Sequence, residues 1–360
     1  MDWVVQEIKA TEFDNKYRNF FSQMAYGAAS RGDLEMLKLA VLHSLPFDYM
    51  LCNYAAKSGQ LNILNWAFDA GYRIYTRAIE SAARSGHLEV LEWAHSNRIS
   101  YRIDDVACVA AKFGHLEILK WMFPNKIDDP QAYSLYEAAK AGQLAVIEWS
   151  LANGLKGNKY MLNGLIESGK IEILQWAKDS GLKLKNVAVR AAGYSTLETL
   201  QWAVANGFKM SPEVCSAAAT RGLLSMVQWA RSNGCEWDSD TTLNAAIEGH
   251  MDILEWAVSN GCPMSDAIFS TAIEYGKYEP LHWAAAKGYE FDSTVYQKMA
   301  EKRSGLKEFQ WLMSIYKGDW KEMAERCYLT ALRGSDTEKW ILENLDTSPF
   351  RIVTIATALY

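Results

Sequence analysis

Long apolar runs are missing from this 360-residue sequence. No window approaches the roughly 18 uninterrupted apolar residues that a membrane-crossing helix needs. A secretory leader is not expected either: Met1-Asp2-Trp3-Val4-Val5-Gln6-Glu7 carries acid where a leader carries base, and no apolar segment follows. Cysteine is sparse. Cys52, Cys108, Cys215, Cys235, Cys262 and Cys327 are scattered, with no CxxC pair and no dense framework. A reducing compartment is therefore expected, the cytoplasm first and the nucleus second. An excess of positive charge is lacking too. The formal net charge of −6 offers no global attraction to nucleic acid or to an anionic membrane. Catalytic signatures are absent: there is no Gly-x-Ser-x-Gly, no phosphate loop, no His-Glu-x-x-His and no dinucleotide fingerprint, so no enzyme and no cofactor are expected. No strand-like alternation of polar and apolar residues appears.

Tryptophan is abundant, with 14 copies. Trp66, Trp93, Trp121, Trp149, Trp176, Trp202, Trp229, Trp256, Trp283 and Trp311 recur at 26–28 residue steps, and Leu39 holds the same place one period earlier. Around each lies one frame, seen as AARSGHLEVLEWA from Ala82, AAKFGHLEILKW from Ala110 and AAIEGHMDILEWA from Ala245. A frame repeated at fixed period marks a solenoid of stacked supersecondary units.

Each period decodes into two helices. The second starts after a central glycine such as Gly59, Gly86, Gly114 or Gly249. Its Leu88, Val90, Leu91, Trp93 and Ala94 form a wide apolar stripe while Glu89 and Glu92 face out. An acidic residue in its first turn (Glu35, Glu89, Glu117, Glu172) suits the positive end of the helix dipole. It stops at Asn-Gly or Ser-Gly, followed by an apolar residue such as Tyr72 or Phe208, the pattern of a left-handed glycine cap. The first helix opens on Asp104, Ser211, Ser265 and Asp292 or Ser293 as caps, and its Ala-Ala pair lets helices approach closely.

This frame resembles the second half of an ankyrin repeat, where Ala-Ala-x-x-Gly-His leads into the outer helix, and is most similar to the short-period, Trp-rich repeats of large DNA viruses and some protists. The resemblance covers residues 28 to about 316. It departs at one point: ankyrin repeats run about 33 residues with a Thr-Pro-Leu-His opening and a β-hairpin finger, whereas no Thr-Pro-Leu-His occurs here and the finger's residues are missing. The expected fold is thus all-α, a helical repeat solenoid of about 11–12 ankyrin-like helix-turn-helix units of about 27 residues without fingers. Residues 1–24 form an amphipathic capping helix, 25–316 the array, and 317–360 a degenerate last repeat and cap whose apolar tail, 352–360, closes the end.

The constant positions read as core. Ten tryptophans in one frame position plug the seams between repeats; they are not a stacking platform. His87, His115 and His250 share their position with Gln60, Gln143, Asp33 and Lys170, which marks a helix-start hydrogen-bonding site and not a metal set, so no metal is expected. Cys235 and Cys262 share another position and read as small apolar fillers.

Recognition falls to the variable positions. The residue after Ala-Ala is Lys57, Arg84, Lys112 and Lys140 in four consecutive repeats, with Arg31 one place further on in the first; later repeats carry Glu167, Thr220, Ile247 and Glu274. If this is the inner-helix edge, as the ankyrin resemblance implies, the cations line up as a ridge. The charge count agrees: residues 51–200 hold 17 Lys/Arg against 15 Asp/Glu, a balance of +2, while 201–300 hold 6 against 12, a balance of −6. The leading expectation is a non-catalytic, monomeric scaffold or adaptor that binds other proteins, host proteins in host cytoplasm if the origin is viral. Nucleic acid is set aside as a partner on the acidic total, and membranes are excluded. The alternatives are nucleic-acid binding along the partial ridge, or a structural part of a larger assembly.

Overall fold

The computed structural model describes residues 15–42, 50–122, 131–154, 157–265 and 267–345. They form 24 helices and, among the described residues, no strand. The chain divides into two compact halves, Met1–Val187 and Ala188–Tyr360.

The first half is six helix pairs: α1 (Asn15–Arg31) with α2 (Leu34–Leu42), α3 (Met50–Lys57) with α4 (Leu61–Asp69), α5 (Thr76–Ser85) with α6 (Leu88–Ser96), α7 (Ile103–Phe113) with α8 (Leu116–Met122), α9 (Gln131–Ala141) with α10 (Leu144–Ala152), and α11 (Lys159–Glu167) with α12 (Ile171–Asp179). The second half holds α13 (Val187–Tyr194) and α14 (Leu197–Ala205), α15 (Glu213–Thr220) and α16 (Leu224–Ser232), α17 (Ser239–Glu248) and α18 (Met251–Ser259), α19 (Ile268–Tyr275) and α20 (Glu279–Ala286), α21 (Ser293–Ala300) and α22 (Leu306–Ile315), and α23 (Trp320–Thr330) and α24 (Asp336–Asn344). Helix pairing thus continues past Trp311, where the sequence frame decays. Of the expected capping helix, residues 15–24 belong to α1, which runs on through the Ala28–Ala29 pair; the rest, and the tail at 352–360, lie outside the described residues.

The odd-numbered helices are the inner row. From α1 to α11 and from α15 to α23, neighbouring repeats make their closest packing through these helices. The reason is in the alanine pairs: Ala55, Ala56, Ala82, Ala83, Ala110, Ala138 and Ala139 are fully buried, so backbones come together with almost no side chain between them. The limit is reached at Gly164 on α11. A β-carbon there would stand 2.7 Å from the Tyr136 carbonyl oxygen and 3.0 Å from the Ala139 β-carbon. Ala is the better helix former by up to about 1 kcal/mol, yet backbone atoms cannot yield. Gly164→Ala is therefore expected to destabilise by about 2 kcal/mol net, the range for overpacking, read as a lower urea midpoint at unchanged slope.

The turns follow from one glycine. Gly86 ends α5 at φ 85°, and the His87 N–H then donates to the Ala82 carbonyl at 3.0 Å, the reversal that sends α6 back along α5. A β-carbon on Gly86 would also strike His115 Nδ1 at 2.7 Å. Left-handed backbone and close approach both demand glycine there. At the other end of the outer helices, an asparagine reaches back to the tryptophan carbonyl: Asn97 Nδ2 to Trp93 in Asn-Arg, and Asn153 to Trp149 and Asn206 to Trp202 in Asn-Gly, each at 2.8 Å.

The caps differ from expectation at α7, α15 and α19, whose cap positions are Arg102, Pro212 and Ala267 and not Asp104, Ser211 and Ser265. Asp104 lies within the first turn of α7, beside Asp105, which pairs with Arg102 at 3.2 Å. Asp292 does cap α21, accepting from the Thr294 and Val295 N–H groups.

The tryptophans are half-buried on the outer row, and Trp93, Trp121 and Trp311 pack against the preceding repeat. Trp93 meets the Phe68 ring edge-on with centroids 5.9 Å apart, and its Nε1–H donates to Asn65 Oδ1 at 2.6 Å. Trp121 packs edge-on to His95 and Trp311 to His282. Within their own repeats, Trp66 contacts Tyr72 and Trp202 contacts Phe208, the hydrophobic residue beyond the cap.

Candidate functional site

The C-terminal ends of the inner helices in the first half carry the predicted cations. Lys57, Arg84, Lys112 and Lys140 are the last or next-to-last residues of α3, α5, α7 and α9, and all four are exposed. Arg31 ends α1 and is exposed as well. Each helix end carries partial negative charge, so a cation there is locally stabilised whatever else it does.

Their surroundings differ along the row. Among the described residues, no carboxylate lies within ion-pair distance of Lys57 or Arg84; the Arg84 guanidinium lies 4.9 Å from the centre of the Phe113 ring in the next repeat. Lys112 pairs with Glu137 at 3.4 Å. Lys140 is part of a chain: its ammonium donates to Tyr136 Oη at 3.0 Å, the Tyr136 hydroxyl donates to Glu167 Oε2 at 2.7 Å, and the lysine stands 3.5 Å from the same oxygen. The hydrogen bond to Tyr136, with the nearby Glu167 charge, pushes the Lys140 pKa up; burial pushes that of Tyr136 up. The Glu167 side chain is only 7% exposed, so this pair also holds α9 to α11. In the sequence Glu167 marks the point where the ridge ends. Its role as partner to Lys140 was missed, although acid following base at one repeat position was the available signal.

Behind the cations runs a second row. The carbonyls at the inner-helix ends have no partner within their own helix, and each is met by the residue after the glycine of the next repeat. Gln60 donates to the Ser30 carbonyl at 3.3 Å, His87 Nε2 lies 3.1 Å from the Lys57 carbonyl, His115 Nε2 lies 2.9 Å from that of Arg84, Gln143 donates to Lys112 at 3.1 Å, and Lys170 to Ala141 at 2.7 Å. In the second half a residue before the glycine reaches back in a similar way: Arg221 donates to the Ala192 and Ser195 carbonyls, and Lys302 to that of Glu274. Asp33 serves its own helix as expected, accepting from the Met36 N–H at 3.1 Å, but the Gln, His and Lys bonds cross to the preceding repeat. Any side chain with a long enough donor serves, which is why His, Gln and Lys alternate there.

Five of the six cysteines sit in the core. Burial pushes the thiols of Cys52 and Cys262 up to about 11 and that of Cys327 up to about 12. Burial, with nearby carboxylates, takes half-buried Cys108 to about 11. The Cys215 S–H donates to Cys235 Sγ at 3.7 Å, raising the donor's pKa and lowering the acceptor's, but Cys235 is 1% exposed. Thiolate is the reactive form. Native protein at pH 8 is therefore expected to leave these six thiols unlabelled by iodoacetamide, with all six labelled in denaturant; rapid native labelling of any one would contradict the packing. Among the described residues, no helix is long and apolar enough to cross a membrane.

No family model matches the chain, and no curated protein matches it. Among solved structures it is similar to the pentatricopeptide repeat protein PPR10 in complex with an 18-nt psaJ RNA element, at 14% identity and a TM-score of 0.36, over 91% of this chain and 60% of that one. A cysteine-to-serine variant of that complex gives the same values. PPR10 from maize follows at 13% identity and a TM-score of 0.27, over 91% and 65%. The chain thus spans about 60% of the length of the first of these structures. At such identity and TM-score the likeness is a resemblance only; the stacked helix pairs themselves make this a helical-repeat protein. One expectation is corrected. Nucleic acid was set aside as a partner, yet two of these similar helical-repeat structures are complexes with RNA. The physical flaw was to judge a repeat array by its total charge: a sum of −6 hides a first half whose inner-helix ends present cations in one row.

Proposed function

We propose that this chain is a non-catalytic binding protein whose inner-helix ends in the first half hold the backbone of a single-stranded nucleic acid. The observation that carries this reading is the row itself: four exposed cations at one repeat position in four consecutive repeats, Lys57, Arg84, Lys112 and Lys140. Stacked repeats set one such charge per repeat, and a row of cations meets phosphates without reading sequence. Phe113, beneath Arg84 and 39% exposed, adds a ring on which a base can stack.

A second reading, a scaffold for other proteins, is favoured by the exposed Tyr194 and Tyr275. They stand at the repeat position of Phe113 but in the half where the ridge position holds no cation. Aromatic side chains are common anchors of protein interfaces. The ankyrin kinship of the repeats, and the viral origin that would go with it, rest on the Ala-Ala-x-x-Gly-His frame. A reducing compartment, cytoplasm or nucleus, is proposed on the six free thiols.

The two readings separate on salt. Phosphate contacts give binding that weakens steeply with salt, by about 0.7 in log K per log unit of salt for each contact to a single strand. Binding of the full chain to polyuridylate, followed by fluorescence anisotropy from low to high salt, is expected to show a slope of about 2 to 3. No binding at low salt, or binding without a salt slope, overturns the nucleic-acid reading and leaves the scaffold.

A further inference from the structure

Two turns of the first half, residues 72–76 and 97–100, enclose a groove of about 340 Å³. Phe68, Tyr72, Arg73, Tyr75, Asn97 and Arg98 line it, and no carboxylate does. It shares no residue with the cation ridge.

At this groove one local rule of the repeat is broken, and a side-chain cap that some of the corresponding helices carry is missing, as it also is at α7, α15 and α19. The N-cap of α5 is Tyr75, which makes no side-chain capping bond, where Asn158, Asp238 and Asp292 cap the corresponding helices with side-chain oxygens. The residue after Asn97 is Arg98 at φ 54°, where Gly71, Gly154, Gly207, Gly234 and Gly261 hold the left-handed backbone elsewhere. Each departure gives up stability, and both put large side chains into the same groove. Positions that break a local rule without a structural gain are where function is expected.

The corresponding groove in the second half, where Tyr316 stands in place of Arg98, offers a contrast. Tyr289, Glu290, Phe291 and Lys317 line it at about 220 Å³. There Glu290 stands in place of Arg73 and lies 3.5 Å from Lys317, while Asp292 in place of Tyr75 caps its helix. That groove neutralises its own charge. In the first, Arg73 and Arg98 are exposed, and among the described residues neither is within ion-pair distance of a carboxylate.

The chemistry is specific. Between Lys57 and Lys112 every cation is arginine, the residue whose planar fork meets phosphate oxygens two at a time and stacks on rings. The Arg73 guanidinium lies 5.1 Å from the centre of the Tyr75 ring, so charge and ring are presented together. Tyr75 is 44% exposed and Phe68 39%, giving the groove two accessible ring surfaces. Asn97 donates to the Trp93 carbonyl, which fixes its amide and leaves its oxygen as an acceptor at the groove. The volume lies at the lower end of the range for small-molecule sites, suiting one ring and one phosphate.

We infer that this groove is a nucleotide site. Arg73 and Arg98 take the phosphate, Tyr75 and Phe68 stack the base, and Asn97 accepts from a base amino group. The nucleotide is either free or one residue of a strand, and the two sources are separable.

The test uses the full chain and isothermal titration with adenosine 5′-monophosphate, adenosine, inorganic phosphate, O-phosphotyrosine and a single-stranded hexa-adenylate. The monophosphate is expected to bind at least about tenfold more tightly than adenosine or phosphate alone, since both halves of the site contribute. The variant Arg73→Glu/Tyr75→Asp/Arg98→Gly installs the Glu and Asp of the second groove and the usual glycine. It is expected to melt no lower than the parent, because a cap and a glycine are restored, and to lose at least about tenfold in affinity. With the ridge cations replaced, hexa-adenylate binding more tightly than the monophosphate assigns the groove to a strand, and equal affinity assigns it to a free nucleotide; either supports the proposal. No monophosphate binding at millimolar concentration, undiminished binding by the variant, or phosphotyrosine binding as tightly as the monophosphate overturns it. Changing the ridge cations leaves the monophosphate affinity intact, so failure of the ridge and failure of the groove are told apart.

Discussion

Removing the ridge charges abolishes most binding to polyuridylate while leaving the fold intact: that is the expected result for Lys57→Glu, Arg84→Glu, Lys112→Gln and Lys140→Gln combined. The choice of substitutions comes from the structure. Lys57 and Arg84 have no ion pair to break among the described residues, so full reversal at these exposed positions is tolerated. Lys140 is different. A glutamate there would face Glu167, whose side chain is 7% exposed, and an unpaired buried carboxylate is strongly destabilising. Glutamine removes the charge and can still hydrogen-bond Tyr136 and Glu167. Without the four cations, affinity at low salt is expected to fall on the order of a hundredfold, and the salt slope to flatten by about 0.7 per cation. The melting temperature serves as the control. An unchanged slope with an unchanged melting temperature would remove the ridge from the binding surface.

Trp93→Ala is expected to cost about 3 kcal/mol of stability, the lower end of the range for a large aromatic, because Trp93 is half-buried and not fully enclosed. The cost has two parts. The ring leaves its edge-on packing against Phe68, and Asn65 Oδ1 is deprived of the indole donor. Trp93→Phe keeps most of the ring and removes the hydrogen bond, so about 1 kcal/mol is expected there. Because a repeat array is stabilised by nearest-neighbour interfaces, amide exchange should rise first in α4 and α6, which flank the Trp93–Phe68 seam. Urea unfolding measures the total. A cost below about 1 kcal/mol for the alanine variant would mean that the tryptophan row does not weld the repeats.

Local features of the fold were legible in the residues because their causes are local. Gly86 is glycine since φ 85° excludes a β-carbon, and Leu88, Val90, Leu91 and Ala94 form a stripe because a helix turns every 3.6 residues. The ridge was legible as a position, since period and frame put Lys57, Arg84, Lys112 and Lys140 in register. What they touch was not. The chain from Lys140 through Tyr136 to Glu167 depends on how far one inner helix slides along the next, a packing variable that no single repeat encodes. The same holds for His87, which by its position serves the start of its own helix but in the fold lies against the Lys57 carbonyl one repeat back. Arg98 is a single isolated departure from glycine until the turns at 72–76 and 97–100 meet around a groove.

The sequence by itself determined the helix pairs, their glycine turns, the tryptophan row and the register of the cations, all consequences of backbone geometry and helical period. The tertiary structure alone decided which cations are quenched by a neighbour, where the carbonyls at the helix ends find their donors, and which two turns bring Arg73 and Arg98 to one place. Those are distances between repeats, set by how alanine-lined backbones stack, and charge and hydrogen bonding depend on distance in a way that a repeating frame does not record.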